Sequence, residues 1–279
     1  MTTPPDLPGV RHEYVDAAGL RTHVALAGPD DAPPVVLVHG WPQNWWTWRA
    51  VIPALAERFR VIAPDLRGHG WTEAPPTGYD KEQLASDLLA LLDALGIERA
   101  TWIGHDWGGW TGFLAALRAP DRFERMLAVC IPHPWTPPSL RRLAVLLSYQ
   151  GPISLPFVGP RIATAMVRAL LGTQRRYGNP LAPADLAVFT DHLPPAVTVA
   201  MYRTFLTREL VPIARGRYAD AVLQVRTTVL LGERDPVTGR APGGPVKGQP
   251  RLHVETLPEV AHWVPEQRPA AVIDWALRG

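Results

Sequence analysis

An aspartate at the end of a short apolar run is the first residue whose setting suggests chemistry. Asp106 lies two residues after Gly104 and two before Gly108, in the segment Ile-Gly-His-Asp-Trp-Gly-Gly at 103–109. A strand that turns sharply into a helix needs this spacing, because the glycines leave clearance where side chains would clash. Such a turn holds the central side chain out at the C-terminal edge of a sheet. The pattern predicts a carboxylate nucleophile; a simple N-cap for the following helix is the alternative.

Two later residues complete a catalytic order. Asp235 follows the apolar run that ends in Leu231-Gly232, and His262 precedes Trp263-Val264-Pro265 near the C-terminus. An isolated histidine is more often a surface or capping residue. Here the order nucleophile, acid, histidine matches a hydrolytic triad. The sequence therefore predicts that Asp235 orients His262, which activates a water molecule.

The segment His39-Gly40-Trp41-Pro42 follows another apolar run. The backbone N–H groups of Trp41 and Trp107 are the expected donors of an oxyanion hole, which serves a reaction that passes through a tetrahedral oxyanion. An ordinary Gly-Pro loop is the alternative. We expect His39 and His105 to make local backbone hydrogen bonds. The residues expected to line a substrate pocket are His39, Pro42, Trp135 and Trp263.

Alternating strand and helix patterns position these residues. Five short apolar runs are typical of strands buried on both faces: Val35–Val38, Val61–Ala63, Ala100–Ile103, Met126–Ile131 and Thr227–Leu231. Helical patterns separate them at Trp48–Glu57, Lys81–Leu95 and Trp110–Ala119. This alternation predicts an α/β fold with a mostly parallel sheet flanked by helices. An edge hairpin, a last strand and a last helix are expected at Arg11–Val15 with Arg21–Leu26, Arg251–Thr256 and Pro269–Leu277.

Proline separates a different kind of region from this pattern. Prolines interrupt the chain repeatedly from Pro132 to Pro212, and the stretches between them predict short helices: Leu140–Ser148, Ile162–Leu171, Ala184–Asp191 and Val197–Leu206. We therefore expect a core domain of residues 1–132 and 216–279, with an inserted helical cap at 133–215. The stretch Thr238–Pro250 is too rich in glycine and proline to form a helix.

Composition excludes several classes of protein. The 279 residues are 47% hydrophobic and 19% charged, with a net charge of +2, which indicates an ordinary globular protein without a nucleic-acid footprint. The single cysteine, Cys130, lies in an apolar run and is expected to be a buried hydrophobe. The first ten residues lack the pattern of a signal peptide, and no run reaches the ~18 apolar residues of a membrane span. A soluble cytoplasmic protein is expected.

Taken together, these motifs resemble the epoxide hydrolase branch of the α/β-hydrolase superfamily, which is related to haloalkane dehalogenases. The resemblance runs over nearly the whole chain and rests on His-Gly-Trp-Pro at 39–42, Gly-His-Asp-Trp-Gly-Gly at 104–109, Asp235-Pro236 and the late His262. It implies an Asp nucleophile and two cap tyrosines that hold and protonate the epoxide oxygen. The matching positions are Tyr149 and Tyr202. The chain departs from the family at the Gly/Pro-rich stretch after Asp235, where a helix is usual.

The resemblance implies a hydrolase acting on ether bonds, which converts an epoxide to a vicinal diol through an ester on Asp106. No metal or organic cofactor is expected. The implied partners are a small apolar epoxide and water, with no nucleic acid and no membrane, and a homodimer is compatible with the sequence. A haloalkane dehalogenase with the same triad and a non-catalytic ligand-binding protein of this fold remain alternatives. A fluoroacetate dehalogenase is disfavoured, because Trp107 and Trp110 stand where arginines would bind the carboxylate.

Overall fold

A single nine-stranded sheet organises the part of the chain that the computed structural model describes, residues 3–137, 139–238 and 243–278. The strands run in the spatial order β1-β2-β4-β3-β5-β6-β7-β9-β8. In chain order they are β1 (Val10–Ala17), β2 (Leu20–Ala27), β3 (Pro34–Val38), β4 (Arg60–Pro64), β5 (Ala100–His105), β6 (Phe123–Val129), β7 (Thr227–Gly232), β8 (Gly244–Val246) and β9 (Gln249–Leu257).

The five apolar runs form the centre of this sheet, as predicted. β4, β3, β5, β6, β7 and β9 pair in parallel, and the first five of these strands are buried on both faces over most of their length, whereas β9 is exposed on one face. β1 and β2 form the expected antiparallel hairpin at one edge, and the predicted last strand lies within β9. The carboxyl ends of the parallel strands therefore meet at one edge of the sheet, where an active site is expected.

Helices flank the sheet and cover its two apolar faces. In chain order the core helices are α1 (Ile52–Leu55), α2 (Lys81–Ala94), α3 (Trp107–Arg118), α9 (Val264–Gln267) and α10 (Pro269–Leu277). Helix α2 begins where the Asp80 carboxylate accepts the Gln83 N–H at 2.9 Å, a side-chain cap of the first turn. The last helix has the predicted bounds, whereas α3 begins three residues before its predicted start.

The predicted helix Trp48–Glu57 is wrong. The segment instead holds a 3₁₀ turn at Trp45–Trp48 and the single-turn α1. Pro53 lies at the start of α1 and has no N–H, so a continuous helix through this position would lose a hydrogen bond. The apolar residues Trp45, Trp48, Ile52 and Leu55 are buried all the same, which is why their spacing resembled one amphipathic helix.

The chain between β6 and β7 is helical, as the proline pattern predicted. It forms α4 (Leu140–Ser154), α5 (Gly159–Leu171), α6 (Pro183–Asp191), α7 (Pro195–Thr204) and α8 (Leu210–Ala214). Helix α4 runs past the predicted end at Ser148 and contains Pro152. A π-helical turn at Phe205–Glu209 joins α7 to α8. Among the described helices, none is long and apolar enough to cross a bilayer.

The Gly/Pro-rich stretch after Asp235 contains no helix in its described part. Residues 239–242 of this predicted loop lie outside the described residues, and the short β8 follows, antiparallel to β9. This strand was not predicted, because Gly244-Pro245-Val246 lacks an apolar alternation. It pairs because Gly248, at φ 78°, lets the chain turn back onto β9.

Gly104→Ala should destabilise the protein by roughly 1–3 kcal/mol, the usual cost of overpacking. A Cβ atom at Gly104 would lie 2.3 Å from the carbonyl oxygen of Gly108, which is backbone and cannot move aside cheaply. Gly151→Ala is the matched control, because a Cβ atom there meets nothing within 4 Å and the position lies inside α4. Urea unfolding of both variants checks the prediction. Equal midpoints would contradict it.

Candidate active site

The backbone at Asp106 is held in a conformation that non-glycine residues rarely adopt. Asp106 has φ 51° and ψ −122° at the junction of β5 and α3. A side chain at Gly40 would place its Cβ atom 2.4 Å from the Cβ atom of Asp106, so only glycine lets the loop after β3 approach the turn. The Asp106 side chain is directed away from the sheet and is 15% exposed. This is the sharp turn that the sequence predicted.

Backbone N–H groups bind the Asp106 carboxylate from two sides. The Trp41 N–H donates to Oδ1 at 3.0 Å, and the backbone N–H of Trp107 also favours the ionised carboxylate, which acts against the rise in its pKa. The Asp106 side chain makes no capping hydrogen bond to α3, so the capping alternative does not describe this residue. Trp41 and Trp107 therefore stand where the two oxyanion donors were predicted.

The three predicted triad residues converge although they lie far apart in the chain. The Nε2 atom of His262 lies 3.7 Å from Oδ2 of Asp106, and its Nδ1 atom lies 3.0 Å from Oδ2 of Asp235. The Asp235 side chain is fully buried and also accepts hydrogen bonds from the Val237 N–H and the Thr238 hydroxyl, both at 2.8 Å. Asp235 thus fixes the ring of His262, which leaves Nε2 directed at the carboxylate of Asp106.

The triad groups have shifted pKa values. Burial raises the pKa of Asp106, against the opposing effects of His262 and of the two backbone N–H groups. Burial alone would lower the pKa of His262, but the charge and hydrogen bond of Asp235 raise it. Burial opposes ionisation of Asp235 too, yet His262 and the other donors hold its pKa below the ordinary value. His262 can act as a base only above its raised pKa.

A buried histidine and the cysteine support the loop that carries His262. The Nε2–H of His105 donates to the carbonyl oxygen of His262 at 2.8 Å, and the Cys130 thiol donates to that of Ala261 at 3.6 Å. Burial lowers the pKa of His105 to about 3, so its ring is neutral. Among the described residues, His105, Cys130 and His262 form the one group spaced to hold a metal ion, but Nδ1 of His262 is already bonded to Asp235.

The two predicted tyrosines from the inserted helices lie together above Trp41. The Tyr149 ring stacks on the Trp41 indole at a centroid distance of 6.1 Å, and the Tyr202 ring packs edge-on against it at 4.9 Å. The two tyrosine rings also pack edge-on against each other at a centroid distance of 5.8 Å. Burial raises the pKa of both hydroxyls, and the nearby charge of Asp106 raises it further. Both are therefore neutral donors close to the carboxylate.

The four predicted pocket residues differ in position, and one of them, Pro42, is buried beside Trp41. His39 is fully buried; its Nδ1–H donates to the Gly40 carbonyl and its Nε2 accepts the Leu66 N–H, both at 2.9 Å. Because both ring nitrogens are occupied, His39 supports the loop, as the expected local hydrogen bonds imply, and offers a substrate no free nitrogen. Trp263 packs edge-on against His262 at 4.9 Å. The Trp135 indole donates to the Ala221 carbonyl at 3.0 Å.

Two buried charges beside Trp107 were missed by the sequence analysis. Lys81 and Glu209 form an ion pair, with Nζ and Oε2 at 3.3 Å, and the ammonium lies 4.4 Å from the centroid of the Trp107 ring. Lys81 begins a helix after a capping aspartate, a position at which lysine is normally solvated. The pair joins residues 128 apart, so no local pattern could have revealed it.

Comparison with known proteins supports the fold. Residues 33–158 match the family model described as alpha/beta hydrolase fold. The soluble epoxide hydrolase of Corynebacterium sp. (strain C12) is 49% identical over 117 residues, 42% of this chain and 40% of that protein. Epoxide hydrolase A of Mycobacterium tuberculosis (strain ATCC 25618 / H37Rv) is 44% identical over 121 residues, 42% of this chain and 38% of that protein. The chain thus matches less than half the length of these curated relatives.

A solved structure extends the similarity to the whole fold. The structure of the epoxide hydrolase CorEH without ligand is 29% identical, covers 96% of this chain and 98% of that chain, and has a TM-score of 0.75. Together with the sheet order and the turn at Asp106, these matches show that the chain has the α/β-hydrolase fold. The three similar proteins described above are named as epoxide hydrolases.

Asp235→Asn should lower the pKa of His262 below the ordinary histidine value, because burial then acts without the carboxylate that opposes it. An NMR titration of the histidine ring measures this directly. The wild-type resonance should titrate above ~6.5, the unperturbed histidine value, and the variant resonance below it. Asp121→Asn, which changes an exposed carboxylate, should leave the titration unchanged. An unshifted midpoint in Asp235→Asn would rule out this electrostatic role.

Proposed function

We propose that this protein is an epoxide hydrolase, a hydrolase acting on ether bonds that converts an epoxide to a vicinal diol. One arrangement carries the proposal: the Trp41 N–H binds the Asp106 carboxylate at 3.0 Å, and the rings of Tyr149 and Tyr202 contact the Trp41 indole at centroid distances of 6.1 and 4.9 Å. A nucleophile on one side and neutral acids on the other suit an electrophile whose leaving oxygen must be protonated. The relatives named as epoxide hydrolases support the same reaction.

The first step is proposed to be alkylation of Asp106. Oδ1 stays bound to the Trp41 N–H, and Oδ2 attacks one epoxide carbon. The carbon–oxygen bond of the strained ring breaks as an ester bond to Oδ2 forms. A proton from a tyrosine hydroxyl passes to the departing oxygen, which leaves a tyrosinate. The inserted helices, residues 133–215, act as a cap in this proposal because they supply both hydroxyls.

The second step is hydrolysis of that ester. His262, oriented by Asp235, takes a proton from water through Nε2, and the hydroxide attacks Cγ of Asp106. The N–H groups of Trp41 and Trp107 stabilise the oxyanion that forms on Oδ1. The bond between Cγ and Oδ2 then breaks, so the diol leaves with Oδ2. The two protons of the water end on the diol oxygen and on the tyrosinate, which restores the protein.

His262→Gln should trap the ester. The variant keeps the nucleophile but lacks the base for hydrolysis, so mass spectrometry after exposure to styrene oxide should show the protein heavier by one substrate. Asp106→Asn should show no added mass, and the wild type should form diol without accumulating the adduct. A wild type that forms diol beside a His262→Gln variant that never carries the adduct would overturn the covalent mechanism.

Replacing both cap tyrosines distinguishes an epoxide hydrolase from a haloalkane dehalogenase. A departing halide needs no proton, whereas the epoxide oxygen does. Tyr149→Phe or Tyr202→Phe alone should leave partial activity with styrene oxide, since one donor remains. The double variant should lose about 3 kcal/mol or more of transition-state stabilisation, the scale of one oxyanion donor. The measurement is kcat/KM for styrene oxide and for 1-bromobutane. Normal epoxide turnover by the folded double variant, or wild-type bromide release exceeding diol formation, would exclude this function.

A further inference from the structure

A fully buried lysine lies directly behind the active site. Lys81 is the first residue of α2 and has no exposed surface. A buried ammonium is costly unless charges and dipoles compensate it. Here Glu209 accepts hydrogen bonds from both Nζ, at 3.3 Å, and the Lys81 backbone N–H, at 2.9 Å, and the Tyr79 carbonyl accepts one from Nζ at 3.4 Å. Burial lowers the pKa of Lys81, and the charge and hydrogen bond of Glu209 oppose that shift, so these contacts favour the ammonium form.

The ammonium faces aromatic rings rather than solvent. It lies 4.4 Å from the centroid of the Trp107 ring and 5.4 Å from that of Phe205. Cations at such distances are attracted to the electron-rich face of an aromatic ring, most strongly to tryptophan. Trp107 follows the nucleophile Asp106 directly in the chain. The Lys81 charge therefore acts on the residue whose backbone N–H favours the ionised Asp106 carboxylate.

The same indole contacts one of the two tyrosines. The rings of Trp107 and Tyr202 lie 6.5 Å apart, centroid to centroid, and the Trp107 side chain acts against the rise in the pKa of Tyr202 that burial causes. Because indole can only donate, its N–H is the group that favours negative charge on the Tyr202 oxygen. A cation over the face of the indole withdraws electron density from the ring and makes that N–H a stronger donor, as in a chain of mutually polarising groups. A continuous path therefore runs from Lys81 through Trp107 to the Tyr202 hydroxyl.

We propose that Lys81 is a positioning residue that acts through Trp107 on Tyr202. Its charge holds the indole in place and strengthens the hydrogen bond to the Tyr202 oxygen as that hydroxyl releases its proton to the epoxide oxygen. This role rests on the proposed epoxide hydrolase function. It makes the two tyrosines unequal: Tyr202 carries the stabilised negative charge, and Tyr149 receives no such support from Lys81.

The Lys81–Glu209 pair also connects the core to the inserted helices near Tyr202. Glu209 ends the π-helical turn that follows α7, the helix that carries Tyr202. Turns of this kind are rare and frequently mark functional sites. In this chain the turn places the carboxylate of Glu209 against Lys81, the first residue of α2. The Lys81–Glu209 pair therefore helps to fix the position of Tyr202 as well as that of the Trp107 indole.

A double-mutant cycle in the His262→Gln background tests this inference. The rate of adduct formation with styrene oxide is measured for Lys81→Met, Tyr202→Phe and the combination. Lys81→Met should slow alkylation about tenfold, the scale of a desolvated cation–π contact, with little change in the substrate concentration for half-maximal rate. The same substitution should have almost no effect once Tyr202 is Phe. Lys81→Arg, which keeps the charge, should restore most of the rate.

Arg67→Met is the matched control. It removes a second cation, which is partly buried and pairs with Asp87 of α2 at 2.7 Å. This variant should leave the alkylation rate unchanged. Equal losses for Lys81→Met with and without the Tyr202 hydroxyl would overturn the inference. If Lys81→Met does not fold, Trp107→Phe tests the same path, since it keeps a ring but lacks the N–H. Failure of the His262→Gln parent to form any adduct would instead overturn the proposed alkylation of Asp106, and this inference with it.

Discussion

The backbone conformation of Asp106 is the constraint on which the rest of the site depends. At φ 51° for Asp106, the N–H of Trp107 favours the ionised Asp106 carboxylate. The loop that contains Trp41 can approach this turn only because Gly40 has no side chain. Such a conformation costs ~1–3 kcal/mol and persists only where its surroundings enforce it. Here the enforcing elements are β5 and α3, whose packing leaves no other path for the chain.

Buried ionisable groups of opposite type alternate around that turn. Asp235, His262 and Asp106 follow one another on one side, with the central ring held by its hydrogen bond to Asp235. Lys81 and Glu209 form a second buried pair on the side of Trp107. Each of these groups would be costly to bury alone as an ion, and each has within 4 Å a partner that is oppositely charged or becomes so when His262 is protonated. The site is thus preorganised electrostatically before any substrate arrives, which is the condition under which fixed dipoles stabilise a developing charge most strongly.

The sheet and the convergence of Asp106, Asp235 and His262 could be predicted from the sequence because the strand ends that place the two carboxylates follow local rules. Buried strands have continuous apolar runs, and a residue directly after such a run lies at the sheet edge, which placed Asp106 and Asp235 correctly. The helix predicted at Trp48–Glu57 failed because burial of four apolar residues at helical spacing does not require one helix when Pro53 interrupts it. Lys81 could not be predicted, since its burial depends on Glu209 far along the chain. Tyr149 and Tyr202 were identified by resemblance alone, because their pairing depends on how α4 and α7 pack.

The inserted helices leave the core after β6 and return at β7, and these two strands are hydrogen-bonded neighbours, with Met126 opposite Thr227 and Val129 opposite Leu230. Neighbouring strands are ~4.8 Å apart, but this pair is parallel, so the chain leaves at the C-terminal end of β6 and returns at the N-terminal start of β7, at the opposite edge of the sheet. The helical segment therefore has to cross back over the sheet before β7 begins, as every connection between parallel neighbours must. In the proposed mechanism, Asp106 and His262 belong to the core, whereas Tyr149 and Tyr202 belong to this crossing segment. Sequence changes confined to the segment would therefore alter the groups that face the departing oxygen and leave Asp106 in place.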